Sequence, residues 1–486
     1  MTAAVDLAAR KLAEMDPHPA TIDTTGLTVV GDYIAKRANI RHAQMTQPPA
    51  GVDPDTGEVL TLNLPTSLYE ERPELAQIRQ AAHARTRSAD AVFGAMLARV
   101  AALTPPSIQG PAPVGEPCSL NVAIALVGAS GTGKSSAAET SEVLLPLTLT
   151  NDALTVSLGS GEGLIEAYMG TVDEVDDAGK KRKVRQQVRQ QVLFMVDEGQ
   201  ALSEMASRKG STILPTLRTA WSGQRLGQQN ASEERTRQLP PHEYRMAALA
   251  NFQPETAMAI VDDAAGGTPQ RWLWIAAADP TIPDTAPPWP GRLDWQPPPH
   301  HRGPMDLAPE VAAEIRSRNL ERARGLVTID PLDGHRDLSR LKVAGLLALL
   351  AGRLNIDTDD WRLAGVVLDT SDRVRASIIA NAQARAVVAE RDATAKVIGR
   401  AFAVASSEER RALDAWAKAI GRHVVKGACE GGCKRRCLTR SVPGKYRDHV
   451  TIDTAIDEAV ELGWIAVDGD TYRPGASQPA PSGSRS

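Results

Sequence analysis

Cysteine is scarce in this 486-residue chain: there are four, and three of them crowd between Cys429 and Cys437. So few, so placed, exclude a disulfide framework and point to a reducing compartment, the cytoplasm. Long apolar runs are missing too. None reaches the length of a membrane-crossing helix, and the acidic, proline-containing N-terminus does not read as a signal peptide, so no membrane is expected among the partners. Nor is there an excess of positive charge. Lys and Arg number 55 against 59 Asp and Glu, a formal net charge of −4. Contacts with nucleic acid must then come from local basic patches rather than the overall field. What is present is ordinary for a globular protein: 42% hydrophobic and 23% charged residues, at a length that predicts several domains.

The strongest local signal is Gly128-Ala129-Ser130-Gly131-Thr132-Gly133-Lys134-Ser135, which fits G-x-x-x-x-G-K-[ST] at every fixed position. Glycines let backbone N–H groups close around phosphate oxygens, with Gly128, Ser130, Gly131, Thr132 and Gly133 forming the cradle. Lys134 is then placed to reach the β/γ-phosphates of ATP, and the Ser135 hydroxyl to ligate Mg²⁺. The context agrees. Asn121–Val127 is a short apolar run suited to a buried parallel strand, and the residues after Lys134 favour a helix up to Pro146.

Strand and helix patterns alternate from there, which predicts a parallel α/β sheet. Leu154–Leu158, Val192–Val196, Met246–Ala250 and Trp272–Ala276 are its further strands. Glu162, Asp197, Glu198, Asn251 and Gln253 all fall at strand carboxyl ends, where open α/β sheets bind ligands. Asp197 follows an apolar run and suits a Walker B acid holding Mg²⁺ through water. Glu198 is the preferred base for orienting water, and Glu162, at the end of the second strand, is its rival. Gln253 or Asn251 is placed to sense the γ-phosphate.

LVGASGTGKSSA, SLGSGEGLIEA, FMVDEGQAL, LANFQPE and GGTPQRWLW occur in this order. Together they resemble ATPases carried by high-GC bacteria, their phages and integrative elements. Those are related to the RecA/AAA-type helicase half of primase–helicase replication proteins. The resemblance extends from about Leu68 through the C-terminal region and implies a motor part alone, with any primase or initiator a separate protein. It also implies a homo-oligomer, such as a ring, acting on single-stranded or forked DNA. Arg271 in GGTPQRWLW matches the position where such motors carry an arginine acting on ATP, often a neighbour's; a strand-start arginine in a surface ion pair is the other reading.

Around this core the chain divides into a helical lead-in and linker at 1–117, the ATPase core at 118–290, a lid-like helical domain at 306–405, a winged-helix-like domain at 406–474 and a disordered tail at 475–486. Ser88 is a plausible N-cap for one lead-in helix, and Asp357 or Thr358 for another after the core. Ser406 and Glu409 form a capping-box pattern that would open a helix to about Gly421. Within the last domain, His423, Cys429, Cys433 and Cys437 offer four ligands for a structural Zn²⁺, with Gly431-Gly432 letting the loop fold back and His449 able to replace His423. An Asp176–Gly179 turn between acidic and basic arms suggests a hairpin. It either contacts phosphates through Lys180–Arg189 or neutralises itself. Arg225–Arg237 is a further polar candidate. Lys434, Arg435, Arg436, Arg440, Lys445 and Arg447 make a second basic stretch, whereas the helix after Thr451 is acidic.

The expected function is an ATP-hydrolysing, helicase-like motor in DNA replication of a phage or mobile element. An ATP-switched DNA-binding regulator or adaptor is the alternative. A P-loop small-molecule kinase is disfavoured by the Asp-Glu pair and the multi-domain layout.

Overall fold

The computed structural model describes residues 61–147, 153–175, 181–228, 237–296, 301–327, 331–427, 429–444 and 450–479. The Asp176–Gly179 turn, Lys180, Lys445, Arg447, His449 and most of the 225–237 segment lie outside them. Two compact units are present, one over Pro48–Ala384 and one whose described part lies within Arg385–Ser486.

In the larger unit, helices α1 (Pro73–Ala84) and α2 (Ala89–Leu103) precede strand β1 (Val122–Val127) and helix α3 (Lys134–Leu144). Then come β2 (Ala153–Ser157), α4 (Gly161–Glu166), β3 (Gln191–Val196), α5 (Gly199–Ser207) and α6 (Ile213–Trp221). β4 (Arg245–Phe252), α7 (Pro254–Val261) and β5 (Trp272–Ala276) follow, then α8 (Pro309–Ala323), α9 (Arg336–Leu350) and the first part of α10 (Thr358–Val425), whose residues from Arg385 on belong to the smaller unit. The five strands form one parallel sheet in the order β5-β1-β4-β3-β2. The expected parallel α/β core is therefore present.

Alternation along each strand feeds two separate cores. Ile124 and Leu126 of β1 join Leu193, Leu249 and Ile275 on one face, packed by α2, α3 and α9. Ala125 and Val127 join Phe194, Ala248 and Trp274 on the other, packed by α4 through α7. Burial on both faces explains why these strands read as continuous apolar runs. Helix α2 is buried over its whole length, which suits a helix apolar all round. Ser88 caps it, accepting from Ala91 N at 3.2 Å. Asp357 caps α10 by accepting from Asp360 N at 2.8 Å.

The N-terminal end of the sheet seals in two cations. Arg245, fully buried, donates to Thr104 O at 3.1 Å, Pro105 O at 2.9 Å, Ile108 O at 2.5 Å and Ser119 Oγ at 3.2 Å. Lys342 of α9 donates to Asn121 O at 2.9 Å and Trp221 O at 2.5 Å, with its ammonium 3.6 Å from the Trp221 ring centre. Burial drives both pKa values down, to about 10 for Arg245 and about 7 for Lys342. The carbonyls of the proline-rich segment after Thr104 thus serve as ligands for a buried guanidinium.

One helix boundary differs from expectation. Ser406 and Glu409 lie inside α10 and do not open a new helix. The Ala- and Arg-rich sequence on either side favours helix strongly enough to continue the backbone ladder through the capping pattern. In the smaller unit, the end of α10 packs with α11 (Arg435–Ser441), α12 (Ile452–Glu461) and an antiparallel hairpin, β6 (Ile465–Asp468) with β7 (Thr471–Pro474). Trp416, Ile420, Leu438, Ile456 and Ile465 centre its small core. Among the described residues no helix is long and apolar enough to cross a membrane.

Candidate functional site

The chain leaves β1 through α3 on one face of the sheet, but leaves β3 and β4 through α5, α6 and α7 on the other. The carboxyl ends of β1 and β4 meet at this divergence, the place where open α/β sheets take ligands. Gly128–Ser135 occupies it. Gly133 has φ +80°, a conformation an L side chain adopts only with strain, and it caps α3 so that the helix's free N–H groups face the loop.

Lys134 Nζ donates to Gly128 O and Ala129 O, both at 2.8 Å, spanning the loop. Partial burial lowers its pKa, and Glu255 at the start of α7 opposes the shift. Sequence reading passed over Glu255; its place in the first turn of the helix after β4 was the available signal. Asn251, at the end of β4, is almost fully buried, and its Nδ2 lies 3.4 Å from Ser135 Oγ. Its Oδ1 is buried and has no partner. Gln253 is exposed instead and opens α7, its backbone N–H donating to Thr256 Oγ1 at 3.1 Å. Of the two amides, Asn251 is the one brought to the loop.

Asp197 and Glu198 end β3, one strand beyond β4, and both are exposed. Neither carboxylate has a hydrogen bond or ion pair among the described residues. Because β4 separates β1 from β3, these carboxylates stand about 10 Å across the sheet from the loop, two strand spacings. That gap accommodates phosphate, a hydrated cation and a water. Glu162 is in the first turn of α4, where its Oε1 accepts from Thr212 Oγ1 at 3.2 Å.

Arg271 is elsewhere. It precedes β5, whose Trp272 pairs with Ala123 and whose Ala276 pairs with Val127. Five residues of strand, about 16 Å, therefore separate it from the level of the loop. It donates to Gly267 O at 2.5 Å, lies 5.6 Å from the Trp221 ring centre, and has its Nε buried without a partner. Desolvation and the neighbouring Arg218 lower its pKa.

The groups at these strand ends could hold a phosphate-bearing ligand and a divalent cation. A glycine in the left-handed region, a lysine across the loop mouth, a hydroxyl beside an orphaned buried amide oxygen and unpaired carboxylates together suit phosphate, cation and water. Ser135 and Asp197 would hold the cation, which when bound neutralises charge developing on the phosphates.

The smaller unit holds a separate constellation. Ligand atoms of His423, Cys429 and Cys437 lie within 4.8 Å of one another, and Cys429 Sγ is 3.2 Å from Cys437 Sγ. His423 Nε2 is buried without a partner. The Cys429 thiol beside it raises the pKa of Cys437. These three residues could hold a metal ion. Cys433, expected as a fourth ligand, is not in the set. Its backbone pairs with Tyr472 in both directions, at 3.0 and 2.8 Å, and its side chain joins the small core. Gly432, with φ +108°, makes the reversal that the paired glycines were expected to supply.

The basic segments are partly self-compensated. In the hairpin Met169–Val175 with Lys181–Gln187, Asp173 stands opposite Lys183 and Glu174 opposite Arg182. Arg185 and Arg237 both pair with Glu166. Arg435 makes a bidentate pair with Asp453 of α12, at 2.8 and 2.7 Å. Comparison with models of protein families and with curated proteins returned no match to the chain.

Proposed function

We propose that the chain is an ATP-hydrolysing motor of nucleic-acid metabolism, a RecA/AAA-type P-loop ATPase of the helicase kind serving a phage or mobile element. The observation that carries the reading is the arrangement at three adjacent strand ends. The Gly128–Ser135 loop follows β1, Asn251 at the end of β4 is turned onto Ser135, and Asp197-Glu198 follows β3 with both carboxylates unpaired.

In this reading Lys134 and the loop N–H groups bind the β/γ-phosphates, and Asn251 positions whatever Ser135 ligates. Glu198 orients the attacking water, since it adjoins Asp197 on the strand across the gap. Glu162, engaged by Thr212, supports α4. Arg271 lies too far along β5 to serve its own chain's nucleotide, so its catalytic use requires a neighbouring copy, as in a homo-oligomeric ring. In the smaller unit the order helix, α11, α12, hairpin suits a winged-helix-like module. His423, Cys429 and Cys437 there would bind a structural Zn²⁺ completed by a fourth ligand other than Cys433.

The test is ATP turnover of the purified chain with and without single-stranded DNA, followed by strand separation on a forked duplex. DNA-stimulated turnover with unwinding supports the motor. Turnover indifferent to DNA would assign an ATP switch instead, and absence of ATP binding would remove the reading.

A further inference from the structure

A second cation stands against the phosphate loop, from a part of the chain well before it. The ideal Cβ position of Gly133 lies 2.9 Å from Arg87 Cδ, 3.2 Å from its Nε and 3.5 Å from its Cζ, so the arginine side chain lies along this glycine. Its placement is over-determined. At the end of α1, Thr86 N donates to His83 O and Arg87 N to Ala82 O, a C-cap that forces Thr86 to φ +55°. Glycine is the usual residue there; a β-branched one is strained by about 1–2 kcal/mol. Asp279, just past β5, then pins the turn from the other side, accepting from Ala89 N at 3.0 Å and pairing with His83 Nε2 at 3.1 Å. Ser88 Oγ adds a bond to Ala276 O at 3.3 Å.

Arg87 is set against Gly133, the N-cap of α3, at the positive end of a helix dipole. Its one side-chain hydrogen bond among the described residues runs from Nη1 to Thr86 O at 2.8 Å, and no carboxylate pairs with it. Arg87, Lys134 and the helix N-terminus all border the loop; Glu255 acts on Lys134, and no acid pairs with Arg87 among the described residues. An anion in the loop would satisfy all three.

We propose that Arg87 is a phosphate-contacting residue acting within its own chain, its guanidinium turning from Thr86 O onto the nucleotide phosphates held by Gly128–Ser135. This rests on the ATPase reading. The strained turn and its pins to β5 hold the arginine where the phosphate will be, which lowers the ordering cost of the contact. Nothing in the local sequence announces the role, since Arg87 lies 46 residues ahead of Gly133 by position number.

Calorimetric titration of ATP, ADP and adenosine into the full-length wild type and the Arg87→Ala, Arg87→Lys and Lys134→Ala variants decides it. Arg87→Ala should weaken ATP and ADP about 10- to 100-fold, the worth of a charge-assisted bond, and leave adenosine unchanged. Arg87→Lys should recover part of the loss. The nucleotide-free melting temperature of Arg87→Ala should change little, because the side chain's one hydrogen bond among the described residues goes to the adjacent Thr86 O. Unchanged ATP affinity in Arg87→Ala, with Lys134→Ala impaired, overturns the role of Arg87 and leaves the ATPase reading standing. A lower melting temperature with equal losses for ATP and adenosine makes Arg87 a structural strut. A wild type that binds no ATP removes both.

Discussion

The two ends of the sheet carry similar side chains in opposite states. At the N-terminal end Arg245 and Lys342 are sealed from water and spend their donors on backbone carbonyls and a serine hydroxyl. At the carboxyl end Lys134 and Arg87 bridge only to carbonyls of their own turns, Asn251 keeps an orphaned oxygen, and Asp197 and Glu198 stand free in solvent. A buried polar group without a partner costs about 1–3 kcal/mol, so native structures rarely retain one without a use. The N-terminal end, apart from the partnerless Arg271 Nε, spends its donors within the fold, whereas the carboxyl end keeps the groups that the proposed ligand would engage.

The comparison breaks most sharply at Glu198. Glu198→Gln should bind ATP yet hydrolyse it about 10²–10⁴-fold more slowly, the range for losing a general base, while Glu162→Gln keeps substantial turnover. The reverse order of effects would move the water-orienting role to α4. Lys134→Ala should lower kcat about 10²–10³-fold with an unchanged urea midpoint, since it removes phosphate stabilisation and little packing. At the other end Arg245→Met should do the opposite: a loss of about 3–5 kcal/mol in urea unfolding, because several buried carbonyls lose their donor. If Arg245→Met were as stable as wild type, the contrast between the ends would be lost.

The smaller unit sharpens the contrast from another side, because its core is slight and a metal would supplement it. Elemental analysis should give about one zinc per chain, lost in Cys437→Ser and kept in Cys433→Ser. Equal zinc loss from both variants would return Cys433 to the ligand set.

The smallest effect is a pH dependence. Folded Lys342 gives up its proton at about 7, against 10.5 for an unperturbed lysine. Between those values the unfolded chain binds more protons than the folded one, so stability should rise with pH across that window. Urea midpoints of wild type and Lys342→Met, measured from pH 7 to 10, should diverge accordingly. Parallel curves would mean that the lysine keeps its charge inside.

Much of this was legible from residues alone. The five core strands, Ser88 as a cap and the carboxylates at strand ends follow from apolar runs and their punctuation, which are local properties. The capping pattern at Ser406 misled for a related reason. A cap is only a preference of about 1 kcal/mol, and helix-favouring neighbours outweigh it. Of the four expected ligands the structure gathers three, His423, Cys429 and Cys437, while Cys433 pairs with Tyr472 and is buried in the small core.

The sequence by itself determined the loop proposed to hold phosphate, because the glycines, lysine and serine of Gly128–Ser135 form one contiguous stretch of backbone. Which other residues meet that stretch was decided only by the tertiary structure. Strand order set Asn251 beside Ser135 and moved Arg271 to the far end, and a strained turn at Thr86 brought Arg87 against Gly133. Contacts between residues distant in the chain depend on how strands pair and helices cross, and no local pattern encodes that.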